Sequence, residues 1–328
     1  MRAVVGLEHD SNLFETAAGP QSGWISRIYI ASSGYVLKKT PGYIHLGYRG
    51  GIKRYWTAAN ALPELGDVVA NSLVLNGLVD LNKRVHFGGG GTLKVKQVNH
   101  VPGEEGYLRG SLSANVRGRL TDGLTALAKA RVGADDSRDI ALPEIVLREM
   151  GFECVYGKTR KFHTRIGVTW SWVDYDRPAL SQTGQLIVPE RFSQADLQRV
   201  ISLETQLYQG MLAQFTYSHI RNTTNSFGYE YGAHRFRFLL VRHLVKGVDG
   251  QVFGNFQLRK YLDRLASFQG GLSEIDEYEQ TFLSFKLSKQ LSDRFDVSLQ
   301  FGYARNGATS PGSFYKKHTS TISIDAAL

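Results

Sequence analysis

The feature that most limits what this chain can fold into is a period of two that recurs from one end to the other. Near the end, Phe295, Val297, Leu299, Phe301 and Tyr303 alternate with Asp296, Ser298, Gln300 and Gly302. After a loop (RNGATSPGSF), Ile322, Ile324, Ala326 and Leu328 alternate with Thr321, Ser323 and Asp325. Successive side chains of a β-strand point to opposite faces, so each run predicts a strand with one apolar and one polar face.

The same pattern returns in earlier runs. Phe162, Ile166, Val168, Trp170 and Trp172 alternate with His163, Arg165, Gly167, Thr169 and Ser171. Leu108, Leu112, Ala114 and Val116 alternate with Arg109, Ser111, Ser113, Asn115 and Arg117. Phe236 and Phe238 stand against Arg235 and Arg237, and Leu283, Phe285 and Leu287 against Ser284, Lys286 and Ser288. An unpaired charge costs several kcal/mol in a dry core, so a face this rich in arginine suits water better than the inside of a sandwich. The apolar face then has to look outward, into lipid.

Nothing in the chain's 328 residues divides it: there is no Pro/Gly/Ser linker, composition shift or charge block, so residues 1–328 are read as one domain. Hydrophobic residues make up only 42%, as expected where every second strand residue is polar. No stretch has the ~18 consecutive apolar residues of a membrane helix. The single Cys154 rules out an intramolecular disulfide and is read as a small apolar strand residue.

Connections alternate between short and long. KKTPG, NK, TDG, GKTRK, QG, VKGVDG and LSDR are short, whereas NLFETAAGPQSG, RYWTAANALPELGD and residues 176–196 are among the long ones. Membrane barrels have short turns at one rim and longer loops at the other. Taking each short turn as a hairpin predicts an all-β, transmembrane, antiparallel up-and-down barrel of about sixteen strands, with both termini at the short-turn rim. Residues 188–196 (VPERFSQAD) are expected to form a helical turn within their loop.

Alternation assigns Arg27, Arg49, Lys53, Lys94, Lys96, Arg109, Arg117, Arg119, Lys129, Arg131, Arg165, Arg235, Arg237, Arg259, Lys286 and Arg294 to the lumen. Glu8, Asp10, Asp80, Glu149, Glu153, Glu204, Asp296 and Asp325 stand against them. The excess of cations agrees with the formal charge of +9. Lys94, Lys96, Arg109, Arg117, Arg119, Lys129, Arg131, Arg165, Arg235, Arg237 and Arg259 are the candidate pore-lining residues, since a basic wall concentrates anions. The plainer alternative is that these cations pair with lumen carboxylates and fill space.

Other chemistries are weaker. The basic residues alternate with apolar ones and carry no nucleic-acid-binding signature. The GGGG run at 88–91 lacks the Lys-Ser/Thr of a phosphate loop and is read as strand glycines that allow strand bending or close packing of a neighbouring aromatic. The histidines are scattered, no catalytic spacing appears, and no cofactor or metal is expected. Asp135, Asp136, Asp139, Asp174 and Asp176, at loop starts, are candidates for divalent cations or simply solvated carboxylates. Aromatics at strand ends (Trp24, Tyr55, Trp56, Trp172, Tyr175, Tyr229, Tyr231, Tyr261, Tyr278, Tyr303 and Tyr315) fit the interfacial girdles of a membrane barrel.

The opening GLEHDSNLF resembles the first strand of a broad group of porin-like outer-membrane β-barrel proteins. RNTTNSFGYEYGAHRFRFLL and ARNGATSPGSFYKKHTSTISI resemble that group's loop-into-strand repeats. The group includes barrels associated with exopolysaccharide export and the barrels of surface lipoprotein assembly modifiers. The resemblance implies a bacterial outer-membrane location, with lipid, lipopolysaccharide and the barrel assembly machinery as partners. Two departures stand out: Met1-Arg2 leads straight into a strand with no signal segment, and the chain ends in Leu328 where such barrels end in Phe or Trp. The expectation is therefore a channel, not an enzyme, passing an anionic small solute or an exported polysaccharide. A surface-protein assembly or secretion barrel, or a structural or adhesive barrel working through its loops, is the alternative.

Overall fold

The expected strands form and close on themselves. A computed structural model describes the protein except for residues 14–19, 58–65, 100, 102–105, 138–143, 160, 184–185, 246, 263–280 and 308–313. The strands in chain order are β1 (Arg2–Asp10), β2 (Gly23–Lys39), β3 (Gly42–Thr57), β4 (Asp67–Asp80), β5 (Val85–Asn99), β6 (Tyr107–Arg119), β7 (Leu124–Ser137) and β8 (Ile145–Thr159). They continue as β9 (Phe162–Thr183), β10 (Leu186–Tyr208), β11 (Met211–Thr224), β12 (Tyr231–Val245), β13 (Val248–Tyr261), β14 (Thr281–Gln290), β15 (Phe295–Gly307) and β16 (Phe314–Ala327). Every strand pairs antiparallel with its chain neighbours, and β1 pairs with β16 to complete a sixteen-strand barrel. No helix occurs among the described residues.

Closure follows from the backbone's need for partners. A spanning segment has no water to satisfy its N–H and C=O groups, so an open sheet edge is untenable in hydrocarbon. Here Arg2 lies opposite Ala327, and Leu328 N–H donates to the Met1 carbonyl at 3.0 Å. Both ends of the chain therefore meet at the short-turn rim, as the sequence predicts. The turns are tight, with positive-φ glycines at Gly210 and Gly247 where the chain must reverse.

Cross-strand partners share a face, so register divides the wall into inside and outside. Leu7, Ile322, Leu299 and Leu287 are consecutive partners on the outer face and all but Leu287 are strongly exposed. Leu46, Leu73, Leu93, Leu112, Phe152, Ile166, Ile201, Phe236, Phe256 and Phe301 extend this exposed apolar belt around the barrel. A soluble monomer rarely exposes contiguous apolar patches beyond a few hundred Å². No second layer of the described chain covers the belt. Hydrocarbon is the solvent that fits it. Cys154 is exposed and lies on this outer face, opposite Ala126 and Ile166.

Three expectations change. Residues 188–196 are strand, not helical turn: β9 and β10, at 22 and 23 residues, form the longest hairpin, with register shifts between Pro189 and Ala195. The GGGG run lies in β5, but its neighbours are not aromatic. A Cβ on Gly88 would meet the Asn115 side chain at 2.8 Å, and one on Gly90 would meet the Asn76 carboxamide at 2.7 Å. Arg294 sits in the β14–β15 turn instead of on the lumen wall.

Aromatics do cover glycines elsewhere. Phe238 lies opposite Gly254, with its ring 2.3 Å from where a Cβ would stand, and stacks on Phe256 at 6.2 Å. Gly254→Val should therefore lower folding stability by about 1–3 kcal/mol, read by urea titration in lipid vesicles. Leu112→Arg should cost about 2–4 kcal/mol in the same assay, because it puts a charge into the apolar belt. Gln214→Arg, on the lumen face of β11, should change stability by no more than about 0.5 kcal/mol.

Candidate functional site: the barrel lumen

Every residue singled out as pore-lining has inward parity. Lys94 lies between Ser72 and Arg109, and Arg109 lies opposite Asp135. Lys96 pairs with Tyr107, Arg117 with His86 and Arg119 with Thr125. Lys129 pairs with Gly151 and Asn115, Arg165 with Val155 and Glu204. An inner ring runs through consecutive partners from Arg131 to Glu149, Ser171, Gln198, Asn222, Tyr231 and Tyr261. Arg235 and Arg237 lie opposite Gln257 and Asn255, and Arg259 opposite Ala233.

Their partners separate them into two kinds. Some are neutralised in place. Lys129 Nζ lies 3.2 Å from Glu153 and 3.7 Å from Glu149, and Arg165 lies 3.6 Å from Glu153. Arg109 donates from Nε to Asp135 at 2.7 Å, Arg119 from Nη2 to Asp122 at 2.9 Å, and Arg27 from Nη1 to Glu8 at 2.8 Å. For these the space-filling alternative holds. Arg131 Nη2 donates to Ser111 at 3.2 Å, a neutral partner that leaves the charge in place, and Arg235 Nε donates to Gln257 at 2.7 Å.

Among the described residues, Arg49, Lys53, Lys94, Arg117, Arg131, Arg237 and Lys286 have no carboxylate within ion-pair distance. These unpaired cations are not spread evenly. Arg49, Lys53, Lys94, Arg117 and Arg131 lie on β3–β7, and Arg237 and Lys286 on β12 and β14. In a circuit of sixteen, β5 and β13 are eight strands apart in either direction, so the two groups occupy opposite walls. Carboxylates gather on the strands between. Glu149, Glu153, Asp196 and Glu204 are on β8 and β10, while Glu8, Asp10, Asp296 and Asp325 are on β1, β15 and β16. Asp80 and Asp135 are exceptions on the first basic wall and Asp249 on the second, and each is held by a cation-capable partner, His86, Arg109 and His243.

The long-connection rim is lined differently. Leu13, Ile25, Tyr55, Val68 and Val101 form one buried cluster, Ile145, Val173 and Tyr175 a second, and Ile220, Tyr231 and Ala233 a third. All sit on the inner side at this rim, Leu13 and Val101 in the connections after β1 and β5 and the others near the ends of their strands. This corrects the girdle assignment. Trp24, Trp56, Trp172 and Tyr303 do face outward, but Tyr55, Tyr175, Tyr231 and Tyr315 are turned in and buried. Tyr278 lies outside the described residues. Strand-end tyrosines look alike on either face, and only their parity against the flanking apolar residues could have told them apart.

Cations complete this inner collar by stacking on its rings. Arg109 lies 4.9 Å from the Tyr107 centroid, and Arg259 lies 3.9 Å from Tyr231 and 5.4 Å from Tyr261. Arg259 also donates from Nη1 to the Tyr261 hydroxyl at 2.6 Å. The loop aspartates behave as ordinary carboxylates: Asp135 faces Arg109 inside, and Asp174 pairs with Arg148 on the outer face. Asp139 lies outside the described residues. Among the described residues no group of three His, Cys, Asp or Glu side chains is placed to hold a metal ion.

No family model matches the chain, and no curated protein matches it. Several solved structures align over nearly its whole length. A bacterial polysaccharide outer membrane secretin aligns at 8% identity and a TM-score of 0.46, over 99% of this chain and 98% of the other. The outer membrane protein opdK from Pseudomonas aeruginosa aligns at 8% identity and 0.48, over 99% and 97%. OprD from the same organism aligns at 8% and 0.46, over 100% and 94%. The barrel architecture of this chain rests on its own strand register.

Proposed function

We propose that this chain is a channel of the bacterial outer membrane that passes anionic solutes, from small anions to an acidic exported polysaccharide. The observation that carries the reading is the set of lumen cations without carboxylate partners: Arg49, Lys53, Lys94, Arg117, Arg131, Arg237 and Lys286 among the described residues. Barrels of sixteen strands are wide enough to leave an aqueous passage. In such a passage, low-dielectric walls focus the field of unpaired cations and raise the local anion concentration. Paired cations contribute little, since their charge is cancelled within a few ångströms. In this reading lipid and lipopolysaccharide cover the apolar belt, the barrel assembly machinery inserts it, and no residue acts as a catalyst.

Planar-bilayer recordings across a KCl gradient test this directly. The wild-type reversal potential should have the sign of anion preference. Replacing Lys94, Arg117 and Arg237 together by Glu should reverse that sign, because it removes three unpaired positive charges and adds three negative ones. A barrel that passes no current, or whose preference ignores this change, would sink the proposal. Glu153→Gln should act in the other direction. It releases Arg165 and half the compensation of Lys129, and so should strengthen anion preference while leaving the barrel closed.

A further inference from the structure

The β9–β10 hairpin extends past the ends of its neighbours and carries on its inner side an arginine held on three sides. Arg177 follows Tyr175 by two residues, so it shares that tyrosine's inward face. Its guanidinium lies 5.0 Å from the Tyr175 ring centroid and 4.8 Å from that of Tyr229, which rises from the β11–β12 connection. Its Nε donates to Gln194 Oε1 at 2.8 Å. Gln194 is 1% exposed, and its own Nε2 donates to Asp196 Oδ1 at 3.0 Å. Asn222 donates to Asp196 Oδ2 at 2.9 Å and to the Tyr229 carbonyl at 3.2 Å, so the support of one ring belongs to the same network.

This chain of bonds fixes the arginine's orientation. Asp196 accepts only, so it sets the Gln194 amide with nitrogen toward itself and oxygen toward Arg177. One edge of the guanidinium is thereby occupied, and two tyrosine rings pack against it. The two terminal nitrogens remain, with no acceptor and no carboxylate within reach among the described residues. A guanidinium restrained this way presents a planar fork, which matches two oxygens of one carboxylate or phosphate, and the orienting entropy is already lost before binding. A mere fastening between hairpin and barrel would have no use for the open side.

We propose that Arg177 is an oxyanion-binding site at the long-connection mouth, taking the carboxylate or phosphate of a solute through its two η nitrogens. Its inward parity keeps it from lipid headgroups outside the wall, so the oxyanion belongs to something in the mouth of the barrel. The inference rests on the anion reading of the lumen, but it is tested by binding instead of flow.

The test is calorimetric titration of the full chain, folded in detergent micelles, with inorganic phosphate in one arm and succinate in the other. Saturable binding of at least one is expected, and which arm responds tells phosphate from carboxylate. Arg177→Gln and Arg177→Lys should each weaken it at least about tenfold, the second because lysine keeps the charge but loses the fork and the stacking. Lysine at 177 should leave the urea midpoint close to wild type, so weaker binding there cannot be laid to unfolding. No saturable binding of either anion, or a lysine variant that binds like wild type, would overturn the site. Loss of binding with ion selectivity intact counts against this site alone, whereas binding by a barrel that passes no current counts against the channel alone.

Discussion

The structure depends on one requirement, that every backbone N–H and C=O in the wall find a partner within the wall. Hydrocarbon supplies none, so the sheet has to close, and the pairing of β1 with β16 is the seam that removes its last two edges. Once the seam is made, strand register is no longer free. A slip of one residue in any strand would exchange its two faces, burying apolar side chains in the lumen and turning arginines toward lipid. The belt of Leu, Ile and Phe outside and the polar wall inside are thus two consequences of the same closure.

Closure also determines where charge can act. On a flat strand Lys129 and Lys94 look equivalent, each a lysine on a polar face. In the barrel Lys129 falls between Glu149 and Glu153 on the next strand, while Lys94 has Ser72 and Arg109 beside it. The first is neutralised and the second keeps its field. The circuit then sets the unpaired cations of β3–β7 across the lumen from those of β12 and β14, with carboxylates, most of them paired with cations, on the walls between.

The two rims are built for different tasks. The short-turn rim is made of tight reversals and carries both chain ends. The long-connection rim is stiffened by inward tyrosines and small apolar clusters, on which Arg109, Arg177 and Arg259 stack. Stacking restrains these long cationic side chains, and Asp135 in addition neutralises Arg109. The overlong β9–β10 hairpin adds to this rim because Gln194, Asp196 and Asn222 tie it to β11 through buried hydrogen bonds.

Much of this was legible in the sequence. The period of two, the arginines confined to one phase of it and the alternation of short and long connections are local properties, and they specify the strands, their number and which face is wet. The segment 188–196 misled because Pro189 and its polar neighbours read as a turn, whereas pairing with β9 holds them extended through a bulge. The inward tyrosines misled because an aromatic at a strand end is at home on either face of a membrane barrel. Alternation could place Lys94, Arg117, Lys129 and Arg165 in the lumen, but it could not say which of them keep their charge. That depends on side chains brought alongside by register, such as Glu153 beside Arg165 and Gln194 beside Arg177, and register is fixed only when all sixteen strands close. The sequence by itself determined the wall and its two faces, because side-chain direction in a strand is set by the strand's own backbone. Only the tertiary structure decided the pattern of free charge, because neutralisation is a matter of ångströms between neighbouring strands.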